Sequence, residues 1–115
     1  MNIKLFYKDI DNRHTKYYIC NMKAIEWNDE KNLSLQRERG VCFENVVVCL
    51  INNKVFDTIK HPNKEKYPNQ RIFIIGIEDY VYLVPFVEDE KTIFLKTIIP
   101  SRKMTKKYLM GETKK

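Results

Sequence analysis

Between residues 43 and 50 the apolar side chains Phe43, Val46, Val47 and Leu50 fall at i, i+3, i+4 and i+7, one continuous helical face. β-Branched residues are poor helix formers, so spacing rather than propensity predicts this helix, and a buried strand VVVCLI competes with it. Asn52-Asn53 ends the segment either way. Upstream, KAIEW (residues 23–27) predicts a short strand. Asn28 or Asp29 then caps a polar helix over residues 30–39, with arginines in its last turn and Gly40 where the chain must turn left-handed.

Downstream, the pattern predicts four strands, over residues 54–60, 71–78, 80–88 and 91–99, rich in Val, Ile, Phe, Tyr and Thr. The short polar links Glu78-Asp79 and Asp89-Glu90 join the last three into an antiparallel meander. Pro85 has no backbone donor, which marks an edge position or a bulge. HPNKEKYPNQ (residues 61–70) reads as a loop. Pro100 ends the last strand, and Ser101 caps a basic helix running to about residue 110. The order β-α-α-β-β-β-β-α predicts an α+β domain, an antiparallel sheet packed against two early helices. Residues 1–22 show no sustained period. The domain is therefore expected over residues 23–110, with a true start near Met22, a poorly ordered extension over residues 1–22 and a flexible basic tail over residues 111–115.

The length of 115 residues fits one domain. Lys and Arg outnumber Asp and Glu by 21 to 15, and the net charge of +6 points to an anionic partner or to a solvated, Lys-rich surface. No run of about 18 apolar residues is present, which excludes a spanning helix. The first residues lack an apolar signal-peptide core, so no secretory signal is expected. Cys20, Cys42 and Cys49 are odd in number and lack CxxC spacing, as in a reducing compartment, and no metal site is expected. Cys42 precedes a predicted helix N-terminus, which lowers a thiol pKa, but no base accompanies it. Trp27 and Phe43 are expected in the core.

The cations gather in two places. Lys60, His61, Lys64, Lys66 and Arg71 flank the 61–70 loop, while Lys103, Lys106 and Lys107 share one face of the last helix beside Arg102. Lys96 interrupts IFLKTII and by alternation shares a face with Phe94 and Ile98, either at a site or at a protected edge. Tyr67 and Tyr108 stand among the cations and can stack on bases. Arg71 reads equally as a rim ion pair and His61 as a loop residue. Neither GxSxG, HExxH, a P-loop nor GxGxxG occurs. Positive charge alone can assist RNA cleavage by the substrate's own 2′-hydroxyl, because cations stabilise the charge that develops on the phosphorane.

WNDEKN (residues 27–32), RGVCFENV (39–46), RIFIIGI (71–77) and IIPSRKMTKKY (98–108), in that order, resemble the BrnT family of type II toxin–antitoxin toxins. The fold of that family is similar to RelE-type ribonucleases. The resemblance spans residue 23 to about residue 108. Three positions depart from the family pattern. Asn28-Asp29 stands where one Asp is usual, Cys42 replaces a capping Ser, and Pro100-Ser101 replaces Ser-Ala. The resemblance implies a cytoplasmic bacterial endoribonuclease that stops translation without a metal or other cofactor. Its partners would be RNA and a cognate antitoxin, often a ribbon-helix-helix protein, which forms a hetero-oligomer with the toxin and alone brings it to DNA. It places the catalytic surface on Arg71, Lys96, Arg102 and Lys103, with Thr105 and Lys106 beside it. His61, Lys107 and Tyr108 complete the expected RNA contacts. The competing expectation is a binding module for RNA or protein without catalysis.

Overall fold

A computed structural model describes the backbone of residues 8–11 and 14–18 and the whole of residues 23–110. The elements run β1 (Lys8–Asp11), β2 (His14–Tyr18), β3 (Ala24–Asn28), α1 (Asp29–Arg39), α2 (Phe43–Ile51), β4 (Val55–Lys60), β5 (Gln70–Ile77), β6 (Tyr80–Glu88), β7 (Thr92–Leu95), β8 (Ile99–Pro100) and α3 (Arg102–Tyr108). The domain is α+β. Its sheet has the order β1-β2-β3-β7-β6-β5-β4, with β8 paired to β6. The domain start expected at Met22 meets a sheet that runs past it, because β2 pairs antiparallel with β3 from Tyr18↔Ala24 to His14↔Asn28. The remainder of the expected extension, and the expected tail over residues 111–115, lie outside the described residues.

Both early helices form where local chemistry predicts them. Asn28 Oδ1 accepts the Lys31 N–H at 2.9 Å, and Gly40 closes α1 at φ 70°. The first turn of α2 is held from outside, since Asn32 Oδ1 accepts the Phe43 N–H at 2.6 Å and Asn32 Nδ2 donates to Glu44 at 2.9 Å. Asn45 Oδ1 accepts the Cys42 N–H, supplying the capping contact that the thiol does not. Trp27 and Phe43 stack with centroids 5.5 Å apart inside a core that joins α1, α2 and the inner face of the sheet. Truncating either ring would cost about 3–5 kcal/mol.

The antiparallel sheet expected from the sequence needs one correction. β3 pairs parallel with β7, Ala24 opposite Thr92, because the helices carry the chain away and the long return lays β7 alongside β3 in the same direction. The β5–β6–β7 meander is antiparallel as expected.

Pro85 and Lys96 correct each other. β6 lies inside the sheet, so Pro85 is not on an edge. β6 pairs with β7 from Phe86 to Glu88 and with β8 at Tyr82 and Leu83, leaving Pro85 opposite the gap between them. Having no N–H to give, Pro85 offers only its carbonyl, which accepts the Lys96 N–H at 2.8 Å. The strand expected over residues 91–99 is thus two strands. Across the break Ile98 turns fully into the core, while Lys96 stays exposed with Nζ 5.9 Å from the Phe94 ring. Alternation does not survive the interruption, so Lys96 and Ile98 do not share a face.

Glu78 and Asp79 form the two-residue β5–β6 loop at φ 48° and 67°, a left-handed pair that suits Asn-Gly and strains Glu-Asp. Glu78→Asn with Asp79→Gly should therefore raise stability by about 0.5–1 kcal/mol, read as an upward shift of the urea midpoint at unchanged slope.

Candidate functional site

The last helix is fixed to the sheet by two short side chains. Ser101 Oγ caps it by accepting the Met104 N–H at 3.1 Å, and the Ser101 N–H donates to the Val81 carbonyl at 2.9 Å. Thr105 is buried. Its hydroxyl accepts the Val81 N–H and donates to the Ser101 carbonyl, both at 2.8 Å. Thr105 is accordingly an anchor rather than the RNA contact expected of it, since its hydroxyl is engaged on both sides inside the protein. Tyr108 stacks on Phe56 at 4.8 Å and 14°, which uses one ring face to hold α3 on β4. Arg102, Lys103, Lys106 and Lys107 remain exposed. None forms an ion pair among the described residues, and Lys107 only approaches the Tyr108 ring, at 5.3 Å.

Arg71 stands elsewhere. Alternation places Arg71, Phe73 and Ile75 on the helix-bearing face and Ile72, Ile74 and Gly76 on the other. The Arg71 guanidinium lies 5.4 Å from the Phe86 ring and pairs with Glu88. The Phe56 ring covers Gly76, where a Cβ would meet it at 3.2 Å, so Phe56, Tyr108 and α3 occupy the opposite face. Along β6, Arg71 is opposite Phe86 while Thr105 bonds Val81. An offset of five residues along a strand spans about 17 Å. The four residues expected to form one catalytic surface are therefore not assembled. Arg102 and Lys103 sit together on α3, Lys96 stands at the β7–β8 break, and Arg71 joins a second group with His61 at the far end of the sheet.

That second group lines an open pocket of about 630 Å³ that includes Lys23, Lys60, His61, Lys64, Tyr67, Arg71 and Glu88. Asn63 organises its loop wall. The Asn63 side chain accepts the Lys66 N–H, its carbonyl accepts the Tyr67 N–H, and its own N–H donates to His61 Nδ1 at 3.0 Å. The His61 and Tyr67 rings pack at 4.4 Å. With Nδ1 occupied as an acceptor, Nε2 is the nitrogen of His61 open to a ligand. The opposite wall holds Glu88, paired with both Lys23 and Arg71. Sequence reasoning missed Glu88. Its only signal is its parity with Phe86 and Val84 at the end of a strand, and its partners are distant in sequence.

Partial burial pushes the Glu88 carboxyl up, but Lys23 and Arg71 outweigh it and hold the group below the usual range. Asp89 is held low by the Lys91 and Thr92 N–H groups that its carboxylate accepts. Burial pushes the Cys42 thiol up, contrary to the lowering expected at a helix N-terminus. No protein-family model, no curated protein and no solved structure matches the chain.

Two stability measurements check these assignments. Thr105→Val should cost about 1–3 kcal/mol by stranding the Val81 N–H, while Thr105→Ser should keep most of that stability. Glu88 has a depressed folded pKa, so its contribution is complete above the unfolded value near 4.3 and disappears as pH falls through the lower folded value. Glu88→Gln should cost about 1–2 kcal/mol at neutral pH and flatten the acid limb of urea midpoints against pH.

Proposed function

We propose that this chain is the toxin of a type II toxin–antitoxin module, a RelE-like endoribonuclease that needs no metal and is silenced by a cognate antitoxin. The observation that carries the reading is the face of α3. Four exposed cations stand together on a helix pinned to the sheet through Ser101 and Thr105, inside the last motif of the BrnT resemblance. Phosphates attract such a face, and cations held in a fixed frame stabilise charge on a phosphorane with little reorganisation. In this reaction the 2′-oxygen bonds to phosphorus, the bond to the 5′-oxygen breaks, and a proton passes from the first oxygen to the second. Arg102 and Lys103 bear the charge. Lys106 and Lys107 hold the adjoining phosphates, and the same face suits an acidic antitoxin segment.

A second reading is favoured by one observation: the Tyr108 ring is packed against Phe56, and α3 itself carries no histidine or carboxylate to move that proton. Under it the chain binds RNA without cutting it.

Induced expression of the full chain in bacteria, beside Arg102→Ala/Lys103→Ala, separates the two. Growth arrest by the wild type, relieved in the folded variant, together with RNA cleavage by purified protein in chelator, supports the ribonuclease. Growth without arrest and RNA binding without cleavage overturn it. In either case, removing two phosphate-binding cations should reduce the salt slope of single-stranded RNA binding by about 1.4.

A further inference from the structure

The pocket beside the 61–70 loop lies at the other end of the sheet from α3, and the cations on α3 do not explain it. Its two walls differ in sign. On the loop side Lys60 and Lys64 are exposed and without an ion pair among the described residues, and His61 presents Nε2 beside them. Across from them stand Glu88, Asp89 and Glu90. Lys23 and Arg71 both pair with Glu88, and Asp89 keeps its negative charge while accepting from the N–H groups of Lys91 and Thr92, so these four side chains together carry no net charge. The charges left over in the lining are therefore Lys60, Lys64 and Glu90, beside the His61–Tyr67 ring pair. A bare polyanion fits this arrangement poorly, because one wall would repel it. It suits a ligand with an anionic end, a flat middle and hydrogen-bond donors at the far end.

We propose that the pocket binds a single nucleotide, its phosphate on Lys60 and Lys64, its base along the His61–Tyr67 wall and an exocyclic amine directed at Glu90. A pocket of about 630 Å³ has room for one such unit in an open setting. Carboxylates accept from the exocyclic amines of adenine, cytosine and guanine, whereas uracil offers only a ring N–H flanked by two carbonyl oxygens that the carboxylate repels. If the chain acts on RNA, the unit is one unpaired residue of a strand whose backbone runs to α3. That last step rests on the ribonuclease reading, whereas the binding itself does not.

Calorimetric titration of the full chain with AMP, CMP, GMP, UMP and the phosphate-free nucleosides tests the site without reference to cleavage or growth. The expected result is saturable binding of the three amine-bearing monophosphates. Each should bind at least about fivefold tighter than UMP, the low end of what one base-edge contact contributes. Each should also bind about tenfold or more tighter than its nucleoside, since a phosphate held by lysines contributes a charge-assisted contact. Lys60→Ala/Lys64→Ala should remove the advantage of the phosphate, and Glu90→Gln the preference against UMP. All three side chains are exposed, and a thermal melt confirms that the variants fold. Equal affinity for nucleoside and monophosphate, equal affinity for UMP, or no saturation up to about 10 mM overturns the proposal.

Discussion

One absent hydrogen governs the C-terminal part of the chain. Because Pro85 has no N–H, the strand beside it cannot keep its ladder continuous, and the chain steps away between Leu95 and Ile99. The step turns Ile98 into the core and leaves Lys96 outside. Beyond it the chain returns as β8 and enters α3 where the Val81 carbonyl accepts from Ser101 and the Val81 N–H donates to Thr105. Arg39, in the last turn of α1, secures the same detour by donating to the Ile98 carbonyl at 2.5 Å. A single residue in a central strand thereby sets the position of four cations on the opposite face.

The motifs behind the resemblance divide by physical role. Trp27, Asn32, Phe43 and Glu44 build the joint between β3, α1 and α2, through one ring stack and one amide that accepts from α2 and donates to it. Their spacing follows from packing and capping and carries no chemistry. The last motif is mixed. Ser101 and Thr105 fasten the helix, while Arg102, Lys103, Lys106 and Lys107 stay free to meet a partner. In the third motif Ile72, Phe73, Ile74 and Ile75 are buried, whereas Arg71 belongs to the distant pocket. The motif order is thus mainly a record of folding constraints, with the basic side chains carried on it.

What could be read in the sequence was local. Asn28, Gly40 and Ser101 punctuate helices through side chains and dihedral angles within a turn of themselves, so their roles were visible in the string. So was the face of α2, where four positions had to be apolar together. The proline was legible as a fault in pairing, but the fault lies in the partner strand, and IFLKTII has no break in its alternation to betray it. The parallel pairing of β3 with β7, the bridge from Lys23 to Glu88 and the separation of Arg71 from α3 depend on contacts between distant residues. Local pattern carries no information about them. At Cys42 two local effects oppose each other, and burial, visible only in three dimensions, outweighs the helix terminus.

The parallel seat of β3 has a consequence for synthesis. Ala24 pairs with Thr92, so the strand that carries Trp27 into the core has no partner on its inner side until about 70 more residues have been made. At about 5–20 residues per second that interval lasts several seconds, during which α1 and α2 have no completed sheet to cover. Closing so long a loop also delays the pairing itself. The chain therefore acquires its core, and with it the frame that holds α3, only once β7 has emerged from the ribosome. A copy that stops short of β7 has neither the completed sheet nor the basic helix that follows it.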